Sequence, residues 1–198
     1  MSSDLILASS SAARNSLLKN AGVSFRAVRP RIDEAAIKRD GQLNCERPDE
    51  VAETLAKEKA LGVGRGNPKS CVIGSDQILV CNGHWFDKPI SLETARKQLE
   101  TLSGQVHQLV NATVIVRDSR EIWTYKNTVN VEMCQLSSDL IEKYLVKEGQ
   151  AVCESVGAYK LEGRGVQLLR HVDGDFFSIL GLPMFPLLGF LREKEILY

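Results

Sequence analysis

Leu5-Ile6-Leu7-Ala8 is an unbroken apolar run of strand length, followed by three serines, Ser9, Ser10 and Ser11. Beyond them Leu17, Leu18 and Ala21 fall on one side of a helix that Gly22 stops. Serine hydroxyls cap free N–H groups at helix starts, and glycine ends helices at little steric cost. The pattern predicts a strand–loop–helix unit whose helix N-terminus faces the strand end. Phe25 and Val28 mark a second strand, and residues 30–45 are polar and irregular. Pro48, Asp49 and Glu50 suit the first turn of the next helix, whose inner stripe is Val51, Ala52, Leu55 and Ala56. Cys71-Val72-Ile73-Gly74-Ser75 reads as a short strand stopping at Asp76, with an Asn82-Gly83 turn returning the chain to Asp87-Lys88-Pro89.

Ser91 caps a third helix bearing Leu92, Ala95, Leu99 and Leu102, and Gly104 ends it. Residues 108–116 and 121–133 are extended runs joined through Asp118-Ser119-Arg120, with Val129 and Val131 alternating with polar neighbours. They predict a hairpin of half-buried strands. Ser137 or Ser138 caps a helix with Leu140, Ile141, Tyr144 and Leu145. A glycine-rich stretch, 157–165, precedes an expected strand at 166–169, and a last helix includes Leu187 and Arg192. Helices alternate with strands while hairpins also occur, so the fold class is α/β with a mixed sheet and flanking helices.

The 198 residues suit one domain or two tightly joined lobes, and 43% hydrophobic residues supply a core. The 25 basic and 25 acidic residues argue against a protein that coats nucleic acid, while leaving room for a small polyanion in a local basic cleft. Five cysteines, Cys45, Cys71, Cys81, Cys134 and Cys153, lack zinc-ligand spacing and suit free thiols in a reducing cytoplasm. The N-terminus carries no signal-peptide pattern. The most apolar run, 176–191, is broken by Gly181, Pro183, Pro186 and Gly189, which fits a core segment better than a membrane span.

Several clusters could do chemistry. Ser9 and its neighbours, at a helix start with Arg14, can donate hydrogen bonds to phosphate oxygens, and ordinary capping explains the same residues. Asp33-Glu34 is a solvated acid pair unless it converges with Asp76. Oxygens from two separated segments could then share one magnesium, with waters and phosphates completing its shell. Of Lys57 and Lys59, Lys59 lies four after Leu55 and is the better placed to reach a cleft. Asp76 could bind a metal or take a proton from water, and Lys88 could neutralise phosphate charge; a structural ion pair between them is the alternative. The loop Tyr159-Lys160-Leu161-Glu162-Gly163-Arg164-Gly165 is not a phosphate loop of the Gly-x-x-x-x-Gly-Lys type. His84, His107 and His171 have no metal-like spacing and read as structural.

Taken in order, Leu7-Ala8-Ser9-Ser10-Ser11 with Arg14, Ile32-Asp33-Glu34, Ala56-Lys57-Glu58-Lys59-Ala60, Ile73-Gly74-Ser75-Asp76-Gln77, Asp87-Lys88-Pro89, Leu102-Ser103-Gly104, the 157–165 loop, and Gly174-Asp175 through Gly181-Leu182-Pro183 resemble the Maf family of nucleoside triphosphate pyrophosphatases, also called septum-formation proteins. The resemblance covers nearly the whole chain. It implies a single domain over 1–198 with two lobes around a cleft, like the inosine triphosphate pyrophosphatases. It also implies hydrolysis between the α and β phosphates to a monophosphate and pyrophosphate. Asp76 matches the catalytic acid. Ser9, Arg14, Lys59 and Lys88 match phosphate-binding positions, and Glu34 with Asp76 the site of a divalent metal, magnesium first, manganese or cobalt as alternatives. A cytoplasmic homodimer with no membrane or nucleic-acid partner is the family-level expectation.

The usual Ser-Pro-Arg-Arg of the family is here Ser11-Ala12-Ala13-Arg14. With Ala13, Gln77 and Glu162 as specificity positions, the chain is similar to the branch that hydrolyses 7-methyl-GTP, although that branch often has Trp where Ala13 stands. A carboxylate at Glu162 suits the paired N–H donors of a guanine edge, and N7 methylation adds a positive charge that it favours. Two rivals are a nucleotide-binding regulator of cell division without chemistry, and a general phosphatase that would release orthophosphate.

Overall fold

The computed structural model describes residues 5–197. The elements run β1 (Leu5–Leu7), α1 (Ala12–Asn20), β2 (Arg26–Ala27), α2 (Glu34–Leu43), α3 (Pro48–Gly64), β3 (Cys71–Cys81), β4 (His84–Phe86), α4 (Leu92–Leu102), β5 (Val106–Arg117), β6 (Arg120–Met133), α5 (Ser138–Glu148), β7 (Leu169–Asp173), α6 (Phe176–Ile179) and α7 (Met184–Glu193), with 3-10 segments between α5 and β7. Among the described residues, seven strands form a mixed sheet in the order β2-β1-β3-β5-β6-β7, with β4 paired to β3. β1 is parallel to β2 and β3, whereas β4 runs antiparallel to β3 and β7 antiparallel to β6.

The chain divides into two compact units. The first comprises the chain up to Gln77, Asn111–Asn127, and the chain from Phe176 onward; the second comprises Ile78–Val110 and Thr128–Asp175. In the first, β1 and the Cys71–Ile73 start of β3 are apolar on both faces, as strands covered on both sides must be. Leu5, Leu7, Cys71 and Ile73 pack with Leu17 and Leu18 of α1 and with Leu187, Phe190 and Leu191 of α7. Because strand side chains alternate, Val72, Gly74 and Asp76 share the opposite face. There α3 lies so close that a Cβ at Gly74 would overlap the Ala56 carbonyl oxygen. In the second unit, the Asn82-Gly83 turn has positive φ at both residues (49° and 80°), as a two-residue hairpin with this twist requires. His107 is buried there, with Nε2 2.7 Å from the Tyr159 hydroxyl.

Three expectations are corrected. β3 does not stop at Asp76 but continues to Cys81, leaving the acid buried in mid-strand. Residues 34–43 are helical rather than irregular, because Asp33 Oδ1 caps the Ala36 N–H at 2.9 Å and Gly41 packs directly on Val51. Arg164–Leu168 forms a 3-10 turn, and the strand begins only at Leu169. Gly165 presses on the backbone of Lys160, a compact arrangement that an extended strand would not allow.

Candidate active site

The three serines turn the chain from β1 into α1. Ala8 N–H donates to the Ile73 carbonyl at 2.7 Å, fixing the strand end. Ser9 Oγ accepts from the Ser11 N–H at 3.1 Å, and Ser11 Oγ accepts from the Arg14 N–H at 3.4 Å. Ser9 is buried, and Ala13 is partly buried on the first turn of α1.

On the α3 face of β3, Lys59 Nζ donates to Asp76 Oδ1 at 2.5 Å and to Glu34 Oε2 at 2.9 Å. The Lys59 and Asp76 side chains are each 7% exposed, and Glu34 is 49% exposed. A lysine at 59 falls in the buried stripe of α3, three after Ala56 and four after Leu55. Gly74, two residues before Asp76 on the same strand face, lets the α3 backbone approach and so brings this ammonium to the acid. Lys57 points elsewhere and pairs with Glu121 at 3.0 Å. Asp33 serves as a cap, while Glu34, the first helical residue, reaches Lys59.

Asp76 Oδ2 is buried and has no hydrogen-bond partner among the described residues. An orphaned carboxylate oxygen beside an exposed second carboxylate fits a divalent cation that keeps several waters. No group of three or more His, Cys, Asp or Glu suited to a metal occurs among the described residues. Asp76 and Glu34 would therefore need substrate oxygens or water to complete a coordination shell.

Arg14 lies within electrostatic reach of both carboxylates. Burial pushes its guanidinium below the ordinary value, against the opposing pull of Asp76 and Glu34. Its Nε donates to the Gly181 carbonyl at 2.8 Å. Gly181 has φ +84°, and a Cβ there would stand 3.0 Å from an Arg14 nitrogen. Sequence reasoning missed this contact, which spans 167 residues, and only the glycine hinted at it.

The expected members are thus partly gathered. Arg14, Glu34, Lys59 and Asp76 converge in the first unit. Gln77 faces the other side of β3, where its Nε2 lies 3.0 Å from Asn111 Oδ1, 3.0 Å from Ser178 O and 3.1 Å from Ile179 O. Lys88 and Glu162 are exposed residues of the second unit. The Glu154 carboxyl is held below its usual range first by its hydrogen bond and charge contact with Lys160, and to a lesser degree by Lys88. Glu162 adds a small upward push to the Tyr144 hydroxyl, which burial chiefly raises to about 12. The amine on Asp76 Oδ1 is that of Lys59.

A family model described as "Maf-like protein" matches residues 4–194. The chain is 44% identical over 193 residues to "Nucleoside triphosphate pyrophosphatase" of Granulibacter bethesdensis, with 98% of each chain covered. It is 48% identical over 193 residues to the protein of that name from Nitrobacter hamburgensis, covering 98% of this chain and 95% of the other. It is 45% identical over 193 residues to "7-methyl-GTP pyrophosphatase" of Rhizobium etli, covering 98% and 97%. With the family model spanning almost every described residue and these relatives aligned end to end, the chain belongs to the Maf family.

Proposed function

We propose that this chain is a nucleoside triphosphate pyrophosphatase that hydrolyses the bond between the α and β phosphates, with modified nucleotides such as 7-methyl-GTP as its preferred substrates. The convergence of Asp76, Glu34, Lys59 and Arg14 carries the proposal. These four residues sum to no net charge, so a triphosphate brings negative charge that a further cation must balance. Asp76 and Glu34 would hold that divalent ion, magnesium or alternatively manganese or cobalt, which would withdraw charge from the phosphate oxygens. Asp76 Oδ2 orients the attacking water. Lys59 and Arg14 stabilise the charge that develops on the departing pyrophosphate. Ser9 and the free N–H groups at the start of α1 hold phosphate oxygens.

For residues of the second unit, the proposal keeps the roles that the resemblance implies: Lys88 binds phosphate, and Glu162 recognises the base. Ala13 on α1 and Gln77 on β3 remain specificity positions. The names of the relatives in Granulibacter bethesdensis and Rhizobium etli favour a hydrolase over a regulator without chemistry. The test is the purified chain with magnesium and a panel of ordinary and methylated triphosphates. Equal yields of pyrophosphate and monophosphate are expected. Orthophosphate as the product, or binding without turnover, would refute the proposal.

A further inference from the structure

α6 ends in a tight glycine cap. Gly181 N–H donates to the Ser178 carbonyl at 3.0 Å and Leu182 N–H to the Phe177 carbonyl at 3.2 Å, with Gly181 in the left-handed region. This closing turn directs several carbonyls at other elements of the first unit. The Gly181 carbonyl accepts from Arg14 Nε of α1 and from Ser75 Oγ of β3, each at 2.8 Å. Ser75 in turn accepts from Thr113 Oγ1 of β5 at 3.1 Å and is fully buried. The Ser178 carbonyl, which already accepts the Gly181 N–H, and the Ile179 carbonyl both face the Gln77 amide of β3. Asn127 Nδ2 of β6 donates to Ser178 Oγ at 2.8 Å.

Gln77 Nε2 has two hydrogens and three nearby acceptors, all of them protein atoms. Ser75 has one hydroxyl hydrogen, and the Gly181 carbonyl is its nearer acceptor, against 3.2 Å to Ala112 O. Both donors are therefore engaged with the protein itself, on the strand face opposite Asp76. Arg14 is a charged group held by the same turn, and its fork is pinned at one edge, through Nε. The planar guanidinium is rigid, so this Nε bond fixes the direction of one edge of the fork.

We infer that Ser75 and Gln77 are positioning residues: they hold the Ser178–Gly181 turn, and the turn aims Arg14 at the phosphates. Gln77 then sets the rate of hydrolysis for every nucleotide through the placement of Arg14, which replaces the base-selecting role that the resemblance gives it. The inference rests on the pyrophosphatase reading and deepens it. It differs from a specificity contact in what it demands. A base contact changes the ranking of nucleotides; a misaimed guanidinium slows all of them alike, because every substrate carries the same triphosphate.

The experiment is a double-mutant cycle with Arg14→Ala, Gln77→Met and Ser75→Ala, singly and in pairs with Arg14→Ala, measured by pyrophosphate release on the nucleotide panel. Gln77→Met keeps the length of the side chain and removes its donors. Each single variant should lower kcat by roughly 10- to 100-fold with KM changed far less, as small misplacements of an oriented group do. The ranking of nucleotides should stay as it is in the unsubstituted chain. In the Arg14→Ala background the second substitution should cost less than about twofold, since residues acting as a unit are not additive. Thermal melting accompanies each variant, and Gln77→Met, at a partly exposed position, stands in if Ser75→Ala fails to fold. A changed ranking, or losses that multiply in the Arg14→Ala background, would overturn the positioning role while leaving the hydrolysis reading intact. An unsubstituted chain that releases no pyrophosphate would overturn both.

Discussion

Replacing Lys59 by Met leaves Asp76 as a buried carboxylate without its ion-pair partner. In the native protein Lys59 Nζ is 2.5 Å from Asp76 Oδ1, and each side chain is 7% exposed. Removing one member of such a pair typically costs about 3–5 kcal/mol, because the remaining charge stays desolvated. Arg14, within reach of the same carboxylate, compensates in part, so the lower end, about 3 kcal/mol, is expected. The second partner of Lys59, Glu34, is 49% exposed, and a pair to so solvated a group contributes only about 0–1 kcal/mol. Lys59→Met should therefore destabilise the chain far more than Glu34→Gln. Adding Asp76→Asn to Lys59→Met should restore most of the loss, since it removes the stranded charge at nearly constant shape. Urea unfolding measures this, in a Trp85→Phe background so that fluorescence reports Trp123, stacked on Phe190 at 5.4 Å in the first unit. A Lys59→Met chain within about 1 kcal/mol of the parent, or a double variant no more stable than Lys59→Met alone, would refute the reasoning.

Asp76→Asn alone should abolish most turnover while the fold persists, because Lys59 retains Glu34; kinetics and circular dichroism check both halves. His107 is buried and its pKa is pushed down to about 4, so the folded state binds fewer protons than the unfolded chain between about 4 and 6.5. Stability from this group is complete above the unfolded value and should fall by about 2–3 kcal/mol as pH drops to 4.5. His107→Gln, which does not titrate, should flatten that part of the profile in urea titrations at several pH values; an unchanged slope would count against it. Glu162→Gln should weaken the preference for methylated guanine on the nucleotide panel, and an unchanged preference ratio would remove Glu162 from base recognition.

Much of the fold was legible because its signals are local. Ser91 caps its helix as expected, and the caps left open among Ser9, Ser10 and Ser11 and between Ser137 and Ser138 are Ser11 and Ser137. The Asn82-Gly83 turn and the Asp118-Ser119 turn, both with positive φ, close hairpins where two-residue signals stand between extended runs. The helix at 34–43 escaped notice because its sequence is polar and its one buried residue is a glycine, which carries no hydrophobic signal. The extent of β3 was hidden for a related reason: a charged residue looks like a strand end unless its counter-charge is known, and Lys59 is 17 residues away. Choosing Lys59 over Lys57 was possible from helical spacing alone. The contacts of Ser75, Gln77 and Arg14 with the turn that ends α6 were not, because they depend on backbone carbonyls, which every residue possesses.

At rest, the Lys59 ammonium is already balanced by two carboxylates at 2.5 and 2.9 Å. An arriving anion gains from that lysine only by competing with both. Orthophosphate or sulfate, with few oxygens to offer, has little with which to compete. A string of linked phosphates presents several oxygens along its length and can engage the lysine and its neighbours together. On the proposed reading, the lysine's own counterions are what would make the site discriminate against common small anions in favour of a polyanion.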